Sequence, residues 1–437
     1  MNQFKHILKL SGFPIEKALK EFEQIGQDLQ KNPLAYTQKK CADIYNYHLT
    51  NNRFYRNFLG QSAVQNWDEI PLLTKADLQQ SLENRLSDTY QLKDVFVNKT
   101  SGSSGHPFRF AKDKYAHALT WANIIKLYKQ HGIEMGQSFE ARFYGLPKDF
   151  LQQKKERLKD KFANRYRFDV FDLSDEALAQ FVNIFQKKSF VYINGYTSCI
   201  VRFAKYLKSQ NIVLKQVCPS LKLCITTSEM LFDTDRQLLE NQLGISVVNE
   251  YGASELDIIA FENTNGEWCL NNKTLFVEIT DENGKSLPNG KEGNIVITSL
   301  YNKAHPFIRY KIGDRGIIDK ASKAGKPVLK KLSGRTHDFA KLPSGKMIPA
   351  LTFYYVTKSA VEDSGSVKEI VVVQQELNCF DIHYIADEAL NNQQQQKILS
   401  AILRYLEPGL DIKFVRKDVI KRSQSGKLKQ FESKLGE

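Results

Sequence analysis

The rhythm of the middle of the chain constrains its fold most. Short apolar segments at 190–194, 221–226 and 246–249 take turns with segments of helical periodicity at Asp175–Lys187, 197–210 and 233–242. Strands separated by helical crossovers pair in parallel, and a parallel sheet needs cover on both faces. The pattern therefore predicts an α/β fold with parallel sheet. The first ninety residues read as mostly helical. From Thr274 the texture turns β-rich, with turns at Glu282-Asn283-Gly284 and Pro288-Asn289-Gly290. Beyond Arg335, two strands (Val367–Gln374 and 379–385), a helix at 391–407 and a strand at 412–419 make a compact α+β module large enough to fold alone. At 437 residues the chain exceeds one ordinary core. The expected division is a large domain, 1–334, of parallel sheet plus a β-rich subdomain, and a small mobile α+β domain, 335–437.

Hydrophobic residues at 42% and charged residues at 25% exclude a mostly disordered chain. No stretch reaches the ~18 apolar residues of a membrane span. Charges interrupt the amino-terminal MNQFKHILKLSGFP too early for a secretory core, and six scattered cysteines without a CxxC pair argue against a disulfide scaffold. A cytoplasmic setting is the expectation. The net charge of +13 fits a nucleic acid, an anionic membrane surface, phosphorylated ligands or a merely solubilising surface. Its densest run, 148–167, also carries acids and lacks interleaved aromatics, so it reads as an exposed helix or insertion rather than a nucleic-acid track.

Five segments are chemically suggestive. Thr100-Ser101-Gly102-Ser103-Ser104-Gly105 offers hydroxyls and a backbone able to approach phosphate oxygens closely, and reads as the loop of a strand–loop–helix unit. Asn249-Glu250-Tyr251-Gly252-Ala253-Ser254-Glu255 follows a strand, where open α/β sheets place ligands. It supplies a flat ring, a close-approach glycine and a carboxylate suited to Mg²⁺. Gly313-Asp314 forms an expected corner whose carboxylate suits a ribose diol. Ser333-Gly334-Arg335-Thr336-His337-Asp338 joins an arginine to a pivot point. Arg422-Ser423-Gln424-Ser425-Gly426-Lys427 puts a compact cation on a flexible loop. Taken singly, the loop at 100–105 favours a ligand over a flexible turn, the Tyr251 segment favours a plain turn, and the last three read as surface loops.

In this order the five resemble the adenylate-forming enzymes: acyl-CoA synthetases, peptide-synthetase adenylation domains and luciferases. The short length, the segment Ile70-Pro71-Leu72-Leu73-Thr74-Lys75 and Pro306-Phe307-Ile308-Arg309-Tyr310 resemble the phenylacetate–CoA ligase-like branch, which includes capsular-polysaccharide-biosynthesis members. The likeness runs from Trp67 to Lys427. It implies ATP, Mg²⁺ and, as probable co-substrate, CoA. Thr100, Ser101, Gly102, Ser103, Ser104 and Gly105 would cradle the leaving phosphates. Tyr251 and Gly252 would border nucleotide and acyl group, Glu255 would bind Mg²⁺, Asp314 and Arg335 would take the ribose, and Asp338 would be the hinge. Lys427 would bridge the carboxylate and the α-phosphate. Tyr144, Ser228, Glu229 and Tyr251 would line the acyl pocket.

His106-Pro107 stands where many members carry lysine and glycine. The segment after the Tyr-Gly pair holds one cysteine and no histidine, too few ligands for the zinc of some relatives, so none is expected. The implied reaction is acid activation as an acyl-adenylate, then transfer to CoA. The alternatives are transfer to an amine or hydroxyl in surface-polysaccharide or secondary-metabolite biosynthesis, a degenerate non-catalytic member, and, from charge alone, a nucleic-acid-binding protein. The implied partners are a small carboxylic acid, its aryl character hinted by nearby tyrosines, with no nucleic acid and no membrane span. A homodimer is left open.

Overall fold

The computed structural model describes residues 3–60, 64, 66–100, 108–145, 150–319, 326–335, 339–349, 367–423 and 426–435. Five helices open the chain: α1 (Gln3–Leu10), α2 (Ile15–Lys31), α3 (Pro33–Asn51), α4 (Arg53–Leu59) and α5 (Leu82–Arg85). The Asn32 and Asn52 side chains cap α3 and α4 by accepting from the Ala35 and Tyr55 amides.

The expected strand–loop–helix unit is instead a hairpin followed by a helix. Strands β1 (Val95–Lys99) and β2 (Arg109–Asp113) pair antiparallel, and α6 (Lys114–Gln130) starts directly after them. Asp113 ends β2 and caps α6, accepting from the Tyr115 and Ala116 amides at 3.0 and 2.8 Å. The loop is thus tied to the helix through a second strand.

The main sheet begins with β3 (Glu140–Phe143). After α7 (Phe150–Phe162) come β4 (Arg165–Phe168), α8 (Asp175–Lys187), β5 (Tyr192–Tyr196), α9 (Thr197–Ser209) and α10 (Leu214–Val217). β6 (Leu223–Thr227), α11 (Asp233–Leu243) and β7 (Ser246–Ala253) complete the crossover part. Strands β4, β3, β5, β6 and β7 lie side by side in parallel. Every residue of β5 and β6 is buried, the mark of a strand covered on both faces.

The β-rich part is no separate layer: it extends the same sheet to eleven strands. Beyond β7 lie β8 (Asp257–Glu262), β9 (Trp268–Leu270), β13 (Val328–Arg335), β12 (Tyr310–Asp319), β11 (Glu292–Ser299) and β10 (Leu275–Thr280), all antiparallel. Burial alternates residue by residue along β12, as expected where one face stays open.

The short hairpin β14 (Phe339–Lys341) and β15 (Met347–Pro349) leads into a small α+β unit. Its sheet has β16 (Val367–Gln374) and β17 (Cys379–Ala386) antiparallel, with β18 (Asp411–Arg416) parallel to β17 and β19 (Phe431–Ser433) parallel to β16. Helix α12 (Asn392–Tyr405) covers it, and Ile348, Val372, Phe380, Ile398, Ile402 and Phe431 share a core of their own. Among the described residues no helix is long and apolar enough to cross a membrane.

Candidate active site

The strand bearing Tyr251 does not stop before it: β7 runs to Ala253, with a register shift between Tyr251 and Gly252. The Tyr251 hydroxyl donates to Asp314 Oδ2 at 2.6 Å on β12. Asp314 is not at a corner but inside β12, after Gly313 at φ +94°. Its backbone partner on β13 is Arg335, whose side chain lies outside the described residues. Residues of two separate motif segments are therefore neighbours across a ladder. Asp338 lies outside the described residues.

Glu255 is buried in the turn between β7 and β8, where the Tyr310 hydroxyl donates to its Oε1 at 3.1 Å. Facing it is Lys112 from β2. Burial lowers the Lys112 pKa, while Asp257 and Glu255 nearby oppose that fall. Asp257 sits at φ +99°, a conformation strained for any non-glycine residue. Burial pushes its carboxyl up to about 6 against the pull of Lys112. Lys112 and Asp257 lie outside the five segments that the sequence marks, and β2 carries no alternation that would expose it.

The predicted phosphate loop springs from this same corner. Thr100 and Phe108 close its base: the Thr100 amide donates to the Phe108 carbonyl at 3.0 Å, and the Phe108 amide to Thr100 Oγ1 at 3.1 Å. Phe108 then packs in one core with Tyr251, Leu256 and Tyr310. Ser101, Gly102, Ser103, Ser104 and Gly105 lie outside the described residues.

A second group gathers at the carboxyl ends of β3, β5, β6 and β7. Half-buried Glu250 accepts from Thr227 Oγ1 at 2.9 Å and from the Tyr128 hydroxyl at 3.3 Å. Burial pushes Glu250 up to about 7, with those two donors pulling the other way. The Tyr144 and Tyr196 rings stand 4.6 Å apart, and the Arg142 guanidinium lies 4.2 Å from the Tyr144 ring centre. Exposed Ser228 takes φ +69° immediately before Glu229.

The Glu229 carboxylate bridges the two units. Its Oε2 accepts from the Ser198 amide in the first turn of α9 at 2.7 Å, and its Oε1 from the Leu428 amide of the carboxyl-terminal unit at 2.9 Å. Burial raises its pKa, while these two N–H groups and Arg422 favour the charged form. Arg422 Nη1 donates to Ser198 Oγ at 2.9 Å while its Nη2 pairs with Glu369.

The lysine loop is not a loose one. The Ser423 amide donates to the Lys427 carbonyl at 2.9 Å and the Lys427 amide to Ser423 Oγ at 3.0 Å, closing the turn; Gln424 and Ser425 lie outside the described residues. Gly426 is at φ +90° and fits tightly, since a Cβ there would stand 2.7 Å from Val170 Cγ2 and 3.3 Å from the Gly145 amide nitrogen. Lys427 Nζ thereby comes within 5.7 Å of the Tyr196 ring centre. Residues 144, 196, 228, 229 and 427 meet at one corner, and residues 251, 255 and 314 at an adjoining one.

No family model matches the chain. It is 24% identical to Protein CapK of Staphylococcus aureus over 332 residues, 73% of this chain and 71% of that protein. It is 22% identical to a phenylacetate-coenzyme A ligase of Pseudomonas putida over 364 residues, 80% and 76% of the two chains. The fold matches a 2-hydroxyisobutyryl-CoA ligase in its postadenylation state, bound to R3-HIB-AMP, with a TM-score of 0.71 at 15% identity, covering 92% and 89%. In sequence the chain is similar to Protein CapK and to this phenylacetate ligase, and in fold to this CoA ligase, in line with the resemblance to the adenylate-forming enzymes. The same ligase in its thioesterification state superposes with a TM-score of 0.57, so the chain is nearer in overall arrangement to the postadenylation form. Among the described residues no cluster of three histidine, cysteine, aspartate or glutamate side chains is placed to hold a metal ion. A magnesium ion asks less of the protein, one or two carboxylates with substrate phosphates supplying the rest, and Glu255 fits that demand.

Proposed function

We propose that this protein is an AMP-forming acid ligase: it activates a small carboxylic acid with ATP as an acyl-adenylate and transfers the acyl group to CoA. The observation that carries this reading is the seating of Lys427. A residue near the carboxyl terminus reaches the ends of the parallel strands because Glu229 and Arg422 fasten its loop to α9.

In this reading Tyr251 and Asp314 hold the nucleoside, with the Tyr251 hydroxyl fixing the carboxylate that accepts from the ribose. The acid lies between the Tyr144–Tyr196 pair and the Thr227–Glu250 pair, and its carboxylate meets Lys427. The lysine holds that oxygen against the α-phosphate while charge develops there, an interaction strongest in the transition state. Glu255, steadied by Tyr310, would hold Mg²⁺, and the ion when bound would supply positive charge toward the phosphates. Thr100 anchors the loop assigned to the phosphates. Docking of the small unit keeps water from the anhydride.

The test is a coupled assay with ATP, Mg²⁺, CoA and a panel of aryl and aliphatic acids, following thiol loss together with AMP release. The expected result is acid-dependent loss of thiol matching AMP formed. AMP release with an acid while the thiol persists would move the acceptor to an amine or hydroxyl. No AMP with any acid would refute the reading.

A further inference from the structure

Helix α7 is turned inside out. Its two acidic side chains face the sheet: Asp160 is only 3% exposed and accepts from Arg165 Nε at 2.5 Å and from Arg167 Nε at 2.9 Å, while Glu156 accepts from Arg167 Nη2 at 3.3 Å. Three large apolar side chains face outward, with Leu151 75%, Leu158 55% and Phe162 50% exposed. At 3.6 residues per turn these three fall within an arc of about 40°. Lys155 and Lys159 flank that stripe on one side, Lys154, Lys161 and Arg157 on the other. The helix's two acids lie opposite and are already paired. A surface helix ordinarily buries its apolar stripe against its own core; here the core side is occupied by ion pairs.

The adjoining cavity extends the cationic surface. About 290 Å³ in volume, it is walled by Arg157, Lys161 and Lys188, with Lys188 Nζ 5.8 and 5.5 Å from the Phe139 and Tyr166 ring centres. Phe139, Asn164 and Lys188 precede β3, β4 and β5, so the cavity lies at the amino ends of those strands, away from the carboxyl-end site.

We infer that α7 docks this protein on an anionic lipid surface, with Leu151, Leu158 and Phe162 entering the headgroup boundary and the flanking lysines and Arg157 meeting lipid phosphates. Thirteen residues are too few to span a bilayer but enough to lie along one. Lysine stems suit this placement, since they cover apolar surface while their charges stay at the phosphate level. Charge decides between occupants. A second copy would bring the same cations face to face on a chain already at +13. A nucleic acid would meet apolar side chains at the centre of the contact.

The test is flotation of the full chain with vesicles of phosphatidylcholine alone, or of phosphatidylcholine and phosphatidylglycerol in equal parts. The protein should float with the anionic vesicles only. Raising salt from about 0.1 M to about 1 M, which shortens screening from about 10 Å to about 3 Å, should release it. The variant Lys154→Glu/Lys155→Glu/Lys161→Glu should lower the partition coefficient on the order of a hundredfold or more. Leu158→Ser/Phe162→Ser should lose binding with its melting temperature unchanged, because these residues support no core. Equal binding to both vesicles, or none to either, overturns the inference. So does a dimer that this serine variant abolishes without any vesicle binding, or capture of duplex DNA in place of vesicles.

Discussion

Tyr251 and Asp314 come from strands far apart in sequence, and their 2.6 Å hydrogen bond joins two of the segments assigned to the nucleotide. A neutral hydroxyl bonded to a carboxylate contributes about 1.5–3 kcal/mol. Tyr251→Phe keeps the ring and removes that bond, so the KM for ATP should rise by roughly tenfold or more. Steady-state kinetics at saturating acid will read it. Glu250 gives a different signature. Its pKa, raised from the ordinary 4.5 to about 7, means the folded chain keeps a proton that the unfolded chain sheds across that window. Folded-state stability from this group is therefore present at low pH and declines as pH rises toward 7. Glu250→Gln should flatten that part of the stability–pH curve in denaturant titrations; an unchanged slope would mean the carboxyl is ordinary.

At the scale of elements, the lysine loop and α9 act as one joint. Gly426 already has a positive φ and no room for a Cβ. Gly426→Ala should disfavour the docked arrangement and slow adenylate formation at least about tenfold, while transfer of the acyl group from a preformed acyl-adenylate to the CoA thiol, with AMP leaving, is spared; stopped-flow measurement of each half-reaction separates the two. Glu229→Ala leaves the Ser198 and Leu428 amides without their acceptor, at about 1–3 kcal/mol for each buried group, and should lower the melting temperature in calorimetry. The sequence marked Glu229 only as a pocket-wall candidate. Its bridging role depends on a residue 199 positions away, a relation no local pattern carries. Helix α8 was legible to its last residue because Ser174 caps it and Leu178, Phe181, Val182 and Phe185 repeat at helical spacing. Strand β2 was not: all but its first residue are buried, charged Lys112 and Asp113 included, so the alternation that reveals a strand is missing.

For the whole molecule, parallel crossovers, a turn-rich extension and a small α+β unit were visible as changes of texture along the chain. That the first two share one eleven-stranded sheet was not, since the join is made where β9 pairs with β13, Cys269 opposite Val328, a neighbour set by tertiary pairing rather than sequence order. The five motif segments gained meaning only together. Their convergence is the central claim, and the exchange of radiolabelled pyrophosphate into ATP tests it most directly, because it isolates the first half-reaction. With an acceptable acid the wild-type protein should catalyse acid-dependent exchange, and Lys427→Ala should lower the rate on the order of 10²–10³-fold. Exchange that needs no acid, or that persists at full rate in Lys427→Ala, would contradict the account.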